Sequence, residues 1–366
     1  MNNRQNQTSE ELNRRVFQRE ESGRILYQPR LETWYAVNKK RGTIPANLQA
    51  KTLPEIYDYV HGSMRHFGGA LRFRYDESVR KSETWESESD LRRTWHTPKG
   101  LLTELIRYDA WHVSGYHTEY KIKSTRDLDL LEYLLLHEEW YWDDAVFAKE
   151  IAEAGSRGAP QFCYRRAPLQ GLMIEHAGYE NTIFMMHDHQ ILLERYLAIA
   201  SEADDHLYKV LCECPVQILS LGENLDANLD PPRIFSMYLA PYYNKRIDQL
   251  HKVGKYVHVH ADGSLEALLP HLRDCPWDGI EGLTPFPQGD VTLERIKESL
   301  HDAILLDGIP AIFFLESYPV EALIECAKRV VELFYPNLAL GVSDELPPEG
   351  DVERVRMVGE LVRDLV

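Results

Sequence analysis

The stretch Tyr256-Val-His258-Val-His260-Ala-Asp262-Gly263, followed by Trp277-Asp-Gly-Ile-Glu281-Gly-Leu-Thr284, decides the fold. The first run alternates apolar and polar residues with a period of two, the signature of a strand. Between the two runs, residues 265–273 carry a helical pattern. The same alternation extends both ways. Strand patterns fall at 214–222, 303–309 and 338–343, and helical patterns at 232–253, 293–300, 319–335 and 350–365. Repeated strand–helix units imply parallel strands joined by right-handed crossovers. A doubly wound sheet would open with a glycine-rich strand–helix turn, and the chain has none. The expected fold is an α/β (β/α)8 TIM barrel with an N-terminal helical extension.

The first half is less regular. Residues 54–65 are amphipathic at helical spacing, 72–97 read as an irregular or antiparallel insertion, and 127–136 read as a helix. The aromatic cluster Trp140-Tyr-Trp142 reads as packing. Residues 1–23 form a polar lead-in with a helical pattern beginning at Ser9, expected to pack late or not at all. No Gly/Ser/Pro linker divides the remainder, so 24–366 is expected to be one domain.

The chain has 366 residues, 44% hydrophobic and 27% charged, which are values of a globular protein. Its 41 Lys and Arg against 58 Asp and Glu give a net charge of −17. That charge and the absence of a basic run argue against nucleic acid and against an anionic membrane surface. No apolar run is long enough to span a bilayer and no signal peptide is visible, so a cytoplasmic location is expected. Five scattered cysteines do not form a disulfide framework, and Cys212-Glu-Cys214 alone makes an incomplete metal site.

In a TIM barrel the functional groups gather at the C-terminal strand ends. Those ends carry Glu223, Asn224 and Asp226; His258, His260 and Asp262; Glu281 and Thr284; Asp307; and Ser343, Asp344 and Glu345. Arg30, Glu32 and Trp34 lie near the first strand. Carboxylates dominate this set, which suits a metal ion, a cationic substrate or acid/base work. His258, His260 and Asp262 share one face of a strand. They are candidate ligands for zinc or another divalent ion, with Glu281 beside them. The competing reading makes His258 a core histidine whose hydrogen bonds are satisfied. Asp230, ahead of Pro231 and Pro232, reads as a helix cap. His187 and His189 sit two apart in a helical pattern and face apart, so they make no joint site.

Four segments together resemble the uroporphyrinogen decarboxylase superfamily. They are Thr97-Pro-Lys-Gly100 with Glu119-Tyr-Lys-Ile-Lys123; Gly222-Glu-Asn-Leu-Asp226 with Pro232-Arg233 and Pro241; His260-Ala-Asp262-Gly263; and Gly341-Val-Ser-Asp-Glu-Leu-Pro-Pro348. The resemblance runs over roughly residues 24–366. It implies a (β/α)8 barrel, in a superfamily that includes the haem-pathway decarboxylase and zinc methyltransferases serving corrinoid proteins. Two departures stand out. The decarboxylase signature Arg-Gln-Ala-Gly-Arg-Tyr is replaced by Gln28-Pro-Arg30-Leu-Glu32-Thr-Trp34-Tyr35, where only Arg30 corresponds. The zinc His-x-Cys of the methyltransferases becomes His260-Ala-Asp262, and the later cysteine has no counterpart near Val342.

The resemblance then implies a metal-assisted methyltransferase or demethylase. Its donor is a small O- or N-methylated compound, and its acceptor is a corrinoid cofactor carried by a partner protein. His260, Asp262, Glu281 and Asp344 are the expected catalytic residues. Arg30, Glu32, Trp34, Asn224, Asp226, Thr284 and Ser343 are expected around the substrate. A cofactor-free decarboxylase gripping carboxylates through Arg30, Arg165 and Arg166, or a barrel that only binds a ligand, are the alternatives. The superfamily also implies a homodimer.

Overall fold

The computed structural model describes residues 7–365. Packing divides the described residues into two compact units, one of residues 7–69, 144–164 and 215–365, the other of 70–143 and 165–214.

The first unit is the barrel. Its eight strands are β1 Leu26–Tyr27, β2 His66–Phe67, β3 Pro160–Tyr164, β4 Ile218–Leu225, β5 Tyr256–Ala261, β6 Gly279–Glu281, β7 Ile304–Pro310 and β8 Leu338–Ser343. They pair in parallel in the order β1-β8-β7-β6-β5-β4-β3-β2. The two ends of that order meet. Ser63 N–H donates to Tyr27 O at 2.6 Å, and Gln28 Nε2 donates to Met64 O at 3.2 Å. These bonds close the sheet between β1 and β2. Strands β7 and β8 are buried along their whole length, as strands covered on both faces must be.

The helices of this unit include α1 Ser9–Phe17, α2 Glu32–Arg41, α3 Leu53–Tyr59, α4 Ala240–His251, α5 Leu269–Arg273, α6 Leu293–Leu300, α7 Val320–Phe334 and α8 Val352–Arg363, and a further helix, Asp144–Ala154, precedes β3. Helix α1 starts in a capping box between Thr8 and Glu11, which satisfies its first amides. It does not hang off the barrel as the polarity of its sequence suggested. Leu12, Val16 and Phe17 are buried in one cluster with Leu26, Ala159, Ile218, Ile304 and Ala339. Those partners lie at or near the starts of β1, β3, β4, β7 and β8, so α1 seals the N-terminal end of the barrel.

Three helical patterns come out shorter than their periodicity suggested. The run from 232 breaks into Pro232–Ile234, a π turn Phe235–Leu239 and then α4. Pro241 has no amide to give, so the ladder must reorganise around it. The run from 54 stops at Tyr59, and its last residues, Met64 and Arg65, lead into β2 instead. The run from 265 forms a helix only from Leu269.

The second unit contains the antiparallel insertion. Strands Arg80–Trp85, Asp90–Thr97, Gly100–Tyr108 and Gly115–Glu119 form one sheet in chain order. Leu71–Tyr75 pairs with Glu138–Trp142, which places the Trp140 ring 4.9 Å from Phe73 as packing. The helix Asp127–Leu136 packs its leucines with Trp95, Leu102, Leu193 and Tyr196. His187 lies in the last turn of one helix and His189 stands between it and the next, so the two never share a helical face. Among the described residues, no helix is long and apolar enough to cross a membrane.

Candidate active site

Neighbouring parallel strands bring the chemistry together. His260 on β5 and Glu281 on β6 are register partners, so both side chains leave the sheet at one level on the same side. Asp344 follows β8, and Arg30 follows β1. One imidazole nitrogen of His260, one carboxylate oxygen of Glu281 and one of Asp344 lie within 4.8 Å of one another. These three residues line a cavity of about 380 Å³ with Arg30, Glu32, Glu345, Cys163, Ser220 and Asn224.

A guanidinium organises the carboxylates. Arg30 Nη1 lies 2.7 Å from Glu281 Oε1 and 2.6 Å from Asp344 Oδ1, while Nη2 lies 2.7 Å from Glu345 Oε1. The same two oxygens stand 3.8 Å from the ring nitrogens of His260, Glu281 Oε1 from Nδ1 and Asp344 Oδ1 from Nε2. Thr33 Oγ1 donates to the other oxygen of Glu345. Behind them, fully buried Arg65 bridges Glu281 Oε1 at 3.1 Å and Asp307 Oδ1 at 2.8 Å.

The electrostatics follow from burial and pairing. Burial alone would raise the Glu281 pKa, but Arg65 and Arg30 outweigh it and hold the carboxyl well below its usual range. Asp307 is pushed up to about 6 by burial, against Arg65, with Glu281 adding repulsion. Its backbone sits at a φ of 83°, a left-handed conformation that costs a β-carbon residue about 1 kcal/mol or more. For His260, burial disfavours the charge, yet Glu281 and Asp344 prevail and raise its pKa. His258 is shifted the other way, because burial dominates over Glu281. Burial also raises the pKa of Glu32, although the Tyr57 hydroxyl donates to it at 2.8 Å.

The predicted residues separate into two groups. His260, Glu281, Asp344, Glu345, Arg30, Glu32, Glu223 and Asn224 line the one cavity. His258, Asp262, Trp34, Asp226, Thr284 and Ser343 are not in its lining. His258 is buried, with Nε2 3.0 Å from Gln161 Oε1 and Nδ1 3.1 Å from Glu281 Oε2. Asp262 falls one residue past the end of β5, so strand alternation no longer places it beside His260. It accepts from Gly263 N–H at 2.8 Å and takes no part in the His260–Glu281–Asp344 cluster. Trp34 is buried and its indole N–H donates to Gly350 O. Asp226 accepts from Asn228 N–H and shapes a turn. Thr284 donates to Gly282 O, and Ser343 Oγ accepts from Gly308 N–H, both as buried groups. Asp230 is buried beside Pro231, which itself occupies the N-cap position.

Two participants escaped the sequence reading. Arg65 was hidden in a helical pattern that the structure ends at Tyr59. Cys163 was one of the five scattered cysteines, given no role from sequence, but it is exposed on β3 and lines the cavity. A β-carbon at Gly222 on β4 would meet its sulfur at 2.5 Å, so the glycine there makes room for the thiol.

The donor set of one imidazole and two carboxylates suits a divalent cation of intermediate to hard character. Arg30 already pairs with both carboxylates, so a cation held by them would share or displace the guanidinium.

The uroporphyrinogen decarboxylase family model matches residues 168–365. No curated protein matches the chain. Among solved structures, a methyltransferase from Methanosarcina mazei superimposes with a TM-score of 0.63 at 15% identity, covering 98% of each chain. A B12-independent methionine synthase from Shewanella sp. W3-18-1 gives a TM-score of 0.38 at 11% identity, covering 88% of this chain and 90% of that one. At 15% identity the first likeness speaks for the fold.

Proposed function

The chain belongs to the uroporphyrinogen decarboxylase family, and from that membership we propose that it is a methyltransferase. It takes a methyl group from a small O- or N-methylated compound and passes it to a corrinoid cofactor carried on a partner protein. His260, Glu281 and Asp344 would hold a divalent ion, zinc being the first candidate. The observation that carries this reading is their convergence within 4.8 Å at the C-terminal end of the barrel. The full-length likeness to a methyltransferase supports it.

When a methyl group leaves oxygen or nitrogen, the bonding pair stays on that heteroatom. The pocket must therefore supply positive charge there. A bound metal would supply it as a Lewis acid. The protein's own part is to keep the donors ionised and fixed. Arg65 and Arg30 keep Glu281 charged, and Arg30 also holds Asp344 in place. Glu32, Ser220, Glu223, Asn224 and Cys163 belong to the remaining polar wall against which a small donor would be oriented.

A decarboxylase would need cations to grip the carboxylates of its substrate. Arg30 and Arg65 are already engaged by Glu281, Asp344, Glu345 and Asp307. Arg165 and Arg166 belong to the second unit, where Glu138, Asp204 and Glu175 pair with them. The pairing favours methyl transfer.

The test is His260→Ala, with metal content, melting temperature and methyl transfer to cobalamin measured side by side. Loss of both metal and transfer in a folded protein is expected. An unchanged rate would defeat the assignment.

A further inference from the structure

At the opposite end of the barrel lies a second cavity, of about 430 Å³, that shares no residue with the candidate active site. Its walls come from the start of α1, the segment leading into β1, the loop after α3 and the end of α8. The residues that matter are Arg24, His61, Arg363, Ser9 and Ser63, over a floor that includes Tyr27. Among the described residues, no Asp or Glu lines it. In a chain with a net charge of −17, a cavity whose described walls carry two arginines and a histidine but no carboxylate side chain is a local inversion of sign.

We propose that this cavity binds a small phosphate-bearing molecule. The guanidinium of Arg24 spends one nitrogen on Gln7 O at 2.6 Å and retains further donors. Arg363 makes no ion pair among the described residues. Forked guanidinium donors match phosphate oxygens, and the serine hydroxyls add neutral donors. Ser63 is held in place, since its Oγ accepts from Gln28 Nε2 at 3.4 Å and its N–H bonds to Tyr27 O. Arg24 and Arg363 both line the cavity, and an anion bound there would offset their like charge. The volume exceeds what a lone phosphate needs and falls in the range of small-molecule sites. The ligand is therefore a phosphomonoester whose body rests on the tyrosine side, rather than the free ion.

The probes are AMP and inorganic phosphate, titrated calorimetrically into the full-length protein at low ionic strength. One equivalent of AMP should bind, and phosphate should displace it with weaker affinity. The double variant Arg24→Ala/Arg363→Ala should lose at least about tenfold in AMP affinity, the scale of one lost charge-assisted contact. His260→Ala should bind AMP as the unaltered protein does, which separates this cavity from the candidate active site. Equal AMP affinity in the double variant would overturn the proposal. So would AMP binding that phosphate cannot displace, or no binding of either probe at millimolar concentration.

Discussion

Arg30 Nη1 and the His260 ring address the same two oxygens, Glu281 Oε1 and Asp344 Oδ1. The guanidinium sits at 2.7 and 2.6 Å from them, the imidazole at 3.8 Å. A side-chain cation thus neutralises the two carboxylates that a metal would use. Metal and arginine compete for one charge balance.

Replacing Arg30 with methionine removes that competitor while keeping much of its volume. The variant should bind a divalent ion at least about tenfold more tightly, the equivalent of about 1.4 kcal/mol. Competition with a chromophoric chelator reads this directly. Weaker metal binding in the variant would mean that Arg30 positions the ligands rather than opposes the ion.

Arg65 lies between two buried carboxylates. Arg65→Met should destabilise the protein by about 3–5 kcal/mol, because Glu281 and Asp307 are then left buried without their common cation. Urea unfolding checks it. A loss below about 1 kcal/mol would show that water or Arg30 takes over the pairing.

The raised Asp307 pKa has a definite signature in pH. An ordinary aspartate ionises near 3.8, whereas the folded protein holds this proton to about 6. Between those values the unfolded chain binds fewer protons than the folded one, so this group makes stability fall as pH rises from about 4 to about 6 and adds no further slope above that. Glu281 contributes the opposite slope at lower pH, where its depressed pKa costs stability as it is protonated. Subtracting the Asp307→Asn profile from the unaltered one isolates the first effect. The difference should change by on the order of 1–3 kcal/mol across that window. A flat difference would place the ionised form of Asp307 in the fold throughout.

Gly282 follows Glu281 at a φ of 84°, and a β-carbon there would come within 2.8 Å of His260 Cε1. Gly282→Ala should therefore cost about 1–2 kcal/mol in backbone strain and push the imidazole away from Glu281. A crystal structure of the variant with His260 unmoved would contradict this.

The barrel was legible because buried parallel strands read as apolar runs and their helices keep a different period. His260, Glu281, Asp344 and Arg30 were legible because they end or follow such runs. Asp262 was misplaced because alternation holds only while the strand lasts, and β5 ends at Ala261. Trp34, Thr284 and Ser343 look like site residues in sequence, yet each spends its polar atom on a nearby backbone group. Arg65 shows the reverse case. Nothing local distinguishes an arginine before a two-residue strand, and its importance comes from Asp307, which lies 242 positions later.

The seal formed by α1 has a consequence for synthesis. This helix leaves the ribosome ahead of every strand it covers, and Ile218, Ile304 and Ala339 emerge only much later. Until then Leu12, Val16 and Phe17 have no apolar surface of the finished barrel to meet. The nascent chain therefore carries an exposed amphipathic helix for most of its elongation, roughly 15–70 s at ordinary translation rates. Chaperones that recognise short apolar helices should engage α1 rather than the later helices, and release from them should follow completion of β8.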